Sequence, residues 1–473
     1  MRTTTLLLCL FLSFVATLPA VLGAQRIGNK ESVMIRIDHG GGSSPNNGAP
    51  PAAAPSSPPS ASASSPSSLL WNGGDARQEE ELRRLLLQQQ QMEKWWEEDP
   101  DQQRTFTQIV EAKGYPVEEH FVTTEDGYIL RVFRIPYGKS GSGAGKRGPV
   151  FLQHGLLDSA FTWILNYPNE SLSYILADNG YDVWMGNSRG NTYSTNHTTL
   201  KPSDAKFWDF SWDEMARYDL PAQLGYVLNV TGYKKLPYIG HSQGTIQMFA
   251  ALVSGYISSD ILSYYIALGP VATVGNVDSF ALKLLADLGV ADIIALFGIH
   301  EFLPAFTGPA SWVFSAFCNL CPVCCEDVIE LLCGAHQGAF NASRMAVVAA
   351  HEPGGTSVIN IIHWAQGIHS GKFQMYDYGR AGNLKHYSSP VPPQYDLSLM
   401  PTNLPIALYS GGKDLLADPT DVKNLIAKLP AHTYWKIIPD YAHLDFAWAL
   451  DANKLIYQEV LGFLSKVTAA KKL

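Results

Sequence analysis

Five residues, Gly240-His-Ser-Gln-Gly244, constrain this chain more than any other feature of its sequence. They follow an apolar run, Leu236-Pro-Tyr-Ile239, that reads as a strand, and they precede Thr245 to Val253, which reads as a helix. A serine hydroxyl is a weak nucleophile unless it is held exposed beside a base. A sharp strand-to-helix turn does the holding, and small residues two positions to either side let the backbone crowd there. The pentapeptide alone is a weak signal that recurs by chance in loops. The strand before it and the helix after it are what make Ser242 a candidate nucleophile.

That geometry asks for a sheet, and the rest of the chain supplies one. Ile129 to Ile135 alternates like a strand after the turn Glu125-Asp-Gly-Tyr128, and Lys139 to Gly148 suits a hairpin connection. Short apolar strands follow at Val150–Gln153, Gly180–Met185, Tyr264–Leu268, Ile406–Ser410 and Tyr434–Ile438, with helical stretches such as Trp212 to Asn229 between them. Strands alternating with helices predict an α/β fold, a mostly parallel sheet covered on both faces. The interval from Val274 to Met400 breaks the rhythm; it is apolar, irregular and cysteine-bearing, and carries Trp312, Phe314, Phe317 and Trp364. An insertion between late strands is where such a fold places a cap over its site.

A serine nucleophile needs a base and an orienting acid, and in this topology the chain order is Ser, acid, His on loops after late strands. His443, in Asp440-Tyr-Ala-His-Leu-Asp445, follows the strand ending at Ile438, and Asp414 follows the strand ending at Ser410. Asp418 and Asp440 are rival acids. Of the 13 histidines, His154, His351, His363 and His369 lack a late-strand position, and His241 is expected to point into the fold. The charge that develops in an acyl-transfer intermediate needs preorganised donors. These are predicted at the Gln243 N–H and at the Leu156 N–H in the loop His154-Gly-Leu-Leu157.

Composition narrows the setting. Hydrophobic residues at 46% suffice for a large core, and the formal charge of −9 with no Lys/Arg cluster disfavours a nucleic-acid partner. Arg2, the apolar run Leu6–Val15 and the small residues Ala20 to Ala24 have the layout of a signal peptide; the run is shorter than the roughly 20 residues a membrane span needs. A soluble product of the secretory pathway is therefore expected, secreted or in a lysosomal or vacuolar lumen. Sequons at Asn169, Asn196, Asn229 and Asn341 are candidate glycan sites there. Cys318-x-x-Cys321-x-x-Cys324-Cys325 and Cys333 have spacings that suit metal as well as disulfides. The oxidising compartment favours disulfides, and an odd cysteine is left over. The expected organisation is a signal peptide (1–24), a Gly/Ser/Pro-rich linker and peripheral helix (25–105, the helix at Asp75–Asp99), a core in two parts (106–273 and 401–473), and the cap or lid (274–400).

With these elements placed, the chain resembles the acid lipase family, which includes gastric and lysosomal acid lipases. The matching stretches are Gly114-Tyr-Pro116, Thr124 to Leu130, Leu152 to Leu157, Ala177 to Asn191, Phe207 to Pro221 and Gly240 to Thr245. Later ones are Gly354 to Val358, Ser370 to Phe373, Gly411 to Pro419 and His443 to Phe446. The resemblance implies an α/β-hydrolase fold with a cap and lid, and a triad of Ser242, Asp414 and His443. It further implies oxyanion donors at Leu156 and Gln243, no cofactor and no metal, and a cap disulfide between Cys318 and Cys325. The expected activity is hydrolysis of neutral-lipid esters, triacylglycerol first, at a lipid–water interface. Sterol-ester hydrolysis is the near alternative, and a non-catalytic lipid-binding module or a peptidase the distant ones. The segment before Phe106 and the additional Cys321 and Cys324 depart from the family pattern.

Overall fold

The computed structural model describes residues 99–467 except 142–146, 290, 292–293, 296–297, 304–317 and 320. The expected signal peptide, the linker, the helix over Asp75–Asp99 apart from Asp99 itself, and Trp312, Phe314 and Phe317 lie outside the described residues.

Eleven strands occur among the described residues, and nine form one sheet. In chain order these are β1 (Glu118–Thr123), β2 (Tyr128–Ile135), β3 (Pro149–Gln153), β4 (Asp182–Met185), β5 (Asn196–His197), β6 (Leu236–His241) and β7 (Leu262–Leu268). Two short strands, β8 (Glu301–Phe302) and β9 (Thr356–Ser357), pair with each other, and β10 (Ile406–Gly411) and β11 (Tyr434–Ile438) complete the main sheet. The order is β1-β2-β4-β3-β6-β7-β10-β11, with β5 beside β2. From β4 to β11 every pairing is parallel, and β2 is antiparallel to β1, β4 and β5. The hairpin expected between β2 and β3 does not form: β4 lies between them, because β3 pairs in parallel with both β4 and β6.

Alternating side chains enter two separate cores. Val150, Leu152, Val183, Met185, Ala407 and Tyr409 belong to one buried cluster. Phe151, Trp184, Ile406 and Leu408 belong to the other. Since successive residues of a strand face opposite sides, a sheet covered on both faces must be apolar at every position, as the five buried residues of β3 are. Helices supply the covers: Leu172–Asp178 and Gln458–Lys466 on the first cluster, and α1 (Leu220–Thr231), α2 (Gln243–Val253) and α4 (Pro419–Ile426) on the second, against which Trp364 of α3 (Val358–Ser370) also packs.

Parallel registry sets the ends of the central strands level. Gln153 lies opposite Gly240, His241 opposite Leu268, and Gly411 opposite Ile438. The loops after β3, β6, β7, β10 and β11 therefore leave from one edge of the sheet, the edge where such folds build their sites. Between β7 and β10 the chain forms helices Phe280–Asp287, Pro322–Cys333, Met345–His351, α3 and Gly379–Tyr387. Packing extends upstream of the expected start at Phe106. Asp101 is fully buried and pairs with Lys113 and Arg344 at 2.7 Å, the latter itself buried and in need of an opposite charge.

Candidate active site

The elbow at Ser242 is built from backbone strain and close packing. Ser242 has φ 52° and ψ −117°, a left-handed conformation that costs about 1–3 kcal/mol and persists only where the surroundings enforce it. Its N–H donates to Leu268 O on β7 at 3.0 Å. The flanking glycines have no room to be anything else: a Cβ on Gly240 would lie 2.8 Å from Gly244 O, and one on Gly244 would lie 2.7 Å from Gln153 O. The turn thus brings α2 against the end of β3, which aims Ser242 along the sheet edge toward the last two loops.

Those loops carry the other two predicted residues. Ser242 Oγ is 2.6 Å from His443 Nε2, and His443 Nδ1 is 2.9 and 3.0 Å from the two Asp414 oxygens. Asp414 Oδ1 also accepts from the Leu416 and Ala417 N–H groups at 2.9 and 2.8 Å, which fixes the carboxylate's orientation. A carboxylate facing Nδ1 holds a proton there and leaves Nε2 free to accept the hydroxyl proton. The rival acids are elsewhere. Asp418 caps α4 through Thr420 N–H, and Asp440 is an exposed partner of Lys413. All three assembled residues are buried: Ser242 is 6% exposed, His443 2% and Asp414 1%.

The two predicted oxyanion donors flank the serine. Gln243 is the first residue of α2, where N–H groups have no partner within the helix. Leu156 lies in the loop after β3, and that loop touches the elbow, since a Cβ on Gly155 would meet Ser242 Cβ at 3.1 Å. Among the described residues no acceptor takes a hydrogen bond from either N–H. An oxyanion between them would receive both.

Several supporting groups have no local sequence signature. The Gln243 side chain is clamped by α3, its Oε1 accepting from Asn360 Nδ2 and Trp364 Nε1, both at 2.9 Å. Asn360 Oδ1 in turn accepts from Trp212 N–H at 2.9 Å. His241 points inward and its Nε2 donates to His443 O at 2.9 Å; burial lowers its pKa to about 3, so it stays neutral. His154 is likewise structural. A backbone N–H can only donate, so Ser188 N–H at 3.0 Å makes Nε2 the acceptor and puts the proton on Nδ1, which donates to Gly155 O. Burial lowers the His154 pKa to about 4. His363 is buried between Ser211 and Gln374 O, His351 donates to Asp101 O, and His369 is exposed. Sequence order singled out Ser242, Asp414 and His443, but these supporting contacts span up to 202 residues and only packing creates them.

The cysteines pair among themselves. Cys318–Cys325 is a disulfide as the resemblance implies, and Cys321–Cys324 forms a second that the sequence reading left unassigned. Cys333 is free; burial and the nearby Asp414 and Asp445 carboxylates push its thiol up to about 12, so it is not a nucleophile. Its carbonyl accepts from His443 N–H at 3.2 Å. Asn169, Asn196 and Asn229 are exposed, whereas Asn341 is half-buried with its amide donating to Glu170 at 3.1 Å. No helix of the described residues is long and apolar enough to cross a membrane.

Comparison with known proteins agrees with this architecture. Residues 106–167 match the family described as partial alpha/beta-hydrolase lipase region, and residues 148–288 match the alpha/beta hydrolase fold. Gastric triacylglycerol lipase of Homo sapiens is 46% identical over 373 residues, 78% of this chain and 92% of that protein. The Bos taurus gastric triacylglycerol lipase is 45% identical with the same coverage. Lysosomal acid lipase/cholesteryl ester hydrolase of Homo sapiens is 43% identical, again over 78% of this chain and 92% of its own length. The fold is the α/β-hydrolase fold.

Proposed function

The chain belongs to the family of gastric and lysosomal acid lipases, and from that premise we propose that it hydrolyses triacylglycerol ester bonds through an acyl-enzyme on Ser242. It is a carboxylic ester hydrolase acting on lipid. The observation that carries the residue assignment is the hydrogen-bonded series Ser242–His443–Asp414 at the carboxyl edge of the sheet.

In this reading His443 Nε2 takes the Ser242 proton as Oγ attacks the ester carbonyl carbon. The carbonyl oxygen becomes an oxyanion between the Leu156 and Gln243 N–H groups. The imidazolium, stabilised by Asp414, gives its proton to the departing alcohol oxygen as the C–O bond breaks. Water then attacks the acyl-enzyme, His443 takes its proton and returns it to Ser242, and the fatty acid leaves. No cofactor enters any step.

The burial of all three residues supports a closed state that opens to admit substrate. We assign that opening to the insertion 274–400, acting as a cap at a lipid–water interface, with 106–273 and 401–473 as the two parts of the core. Secretory-pathway residence fits the two disulfides, and Asn169, Asn196 and Asn229 are proposed to carry glycans, Asn341 being sterically the poorest acceptor of the four. Substrate and nucleophile are tested together. Purified protein should release oleate from trioleoylglycerol faster than from a sterol oleate, and Ser242→Ala should abolish both. Retained activity in Ser242→Ala sinks the mechanism, and a faster sterol-ester rate sinks the substrate assignment alone.

A further inference from the structure

Behind the Leu156 loop lie two buried carboxyl groups that the reaction does not use. Asp158 belongs to the loop, and Glu352 ends the helix Met345–His351 of the insertion; both are 8% exposed as residues. Asp158 closes the turn around Leu156, its Oδ2 accepting from Gly155 N–H at 3.3 Å and its Oδ1 from Ser159 N–H at 2.7 Å. Glu352 Oε1 accepts from Ser159 Oγ at 2.8 Å, while Oε2 is buried with no hydrogen-bond partner among the described residues. Ser159 thus bridges the two carboxyls, its N–H donating to Asp158 and its hydroxyl to Glu352. Two carboxylates held by one residue in a buried site repel each other, which favours a proton on one of them.

The same segment of the insertion grips the loop backbone. Gly354 N–H donates to Leu157 O at 2.7 Å, and a Cβ on Gly354 would lie 2.7 Å from Asp158 O. Leu157 holds φ 59°, a left-handed conformation that does not persist without such restraint. The other groups acting on the pair are the Thr162 hydroxyl, neutral His154 through Gly155, and Tyr193, whose phenol burial and Glu352 hold protonated. His351, next in sequence, is turned to Asp101 O and kept neutral by burial. None of these is a cation.

We propose that the Asp158–Glu352 pair is a proton-dependent clamp that positions the oxyanion loop against the insertion, with Glu352 a positioning residue for the reaction. This rests on the Ser242 mechanism above. Burial, then mutual repulsion, raises the proton affinity of Glu352, and burial raises that of Asp158. The clamp's stability is therefore complete below the ordinary carboxylate range and is lost as pH rises through the raised values. When the last proton leaves to solvent, two adjacent buried anions repel. Glu352 then moves away, Leu157 O loses Gly354, and the Leu156 N–H is no longer held for the oxyanion.

The test is a pH profile with a soluble butyrate ester, alongside fluorophosphonate labelling of Ser242. Wild-type kcat should fall reversibly between pH 5 and pH 8 with little change in KM. In Glu352→Gln the buried position stays uncharged at every pH, so the ratio of kcat/KM at pH 8 to that at pH 5 should rise about tenfold, the effect of moving a controlling group by one pH unit. Asp158→Asn should shift the ratio in the same direction. A wild-type kcat flat over this range, or variant ratios equal to wild type, overturns the clamp. Absence of label at Ser242 in wild type overturns the mechanism beneath it instead.

Discussion

The site has two walls of different origin. One is the carboxyl edge of the sheet, with the elbow after β6 and the loops after β10 and β11 that carry Ser242, Asp414 and His443. The other is the insertion, which brings Asn360 and Trp364 onto Gln243 and Glu352 onto the Leu156 loop. The first wall is made by short-range rules, namely strand periodicity, a glycine where only hydrogen fits, and an acid or base just past a strand end. The second is made by long-range packing between residues with no patterned spacing. The proposed reacting groups sit on the first wall, and the groups that steady the proposed oxyanion donors come largely from the second. The division suggests that chemistry and its tuning are separable by mutation.

The largest expected effect is on the first wall. Asp414→Asn should lower kcat by about 10⁴-fold, because an amide facing Nδ1 favours the wrong histidine tautomer; a loss under tenfold in a steady-state assay would dissolve the distinction between Asp414 and its rivals. Gly244→Ala comes next. Its Cβ would press on Gln153 O and His154 O, so a stability loss of about 1–3 kcal/mol is expected from denaturant unfolding, with the elbow displaced and activity reduced. On the second wall, Asn360→Ala should cost about tenfold in kcat, on the scale of one buried hydrogen bond, with KM nearly unchanged. A drop as large as that of Asp414→Asn would mean the insertion is part of the reacting machinery. The smallest effect is expected at Asp440→Asn, which removes only an exposed ion pair with Lys413 and should leave kcat within about twofold.

Legibility in the sequence follows the same line. β6, α2 and the strands ending at Gly411 and Ile438 were readable because apolar runs bounded by Gly and Asp define them without reference to distant residues. Strand neighbours were not, and the expected hairpin after β2 fails because a local turn signal says nothing about β4 entering between. His154 and His241 read as idle histidines. Their roles, holding the β3 loop and the His443 backbone, exist only because strand ends far apart in the chain lie side by side. Asp101 falls in a stretch expected to be peripheral, yet it is buried because Arg344, over 240 residues away, requires its charge.

The sequence by itself determined seven of the nine strands of the main sheet, the strained elbow, the order Ser, acid, His, and the family. Each rests on local backbone sterics or on residue types at fixed offsets. Only the tertiary structure decided which acid faces His443, what fixes Gln243, how the four paired cysteines are matched, and that Asp158 and Glu352 meet in a buried site. Those outcomes depend on desolvation and on hydrogen-bond satisfaction between segments far apart in the chain, and burial is a property of the packed chain and of no residue alone.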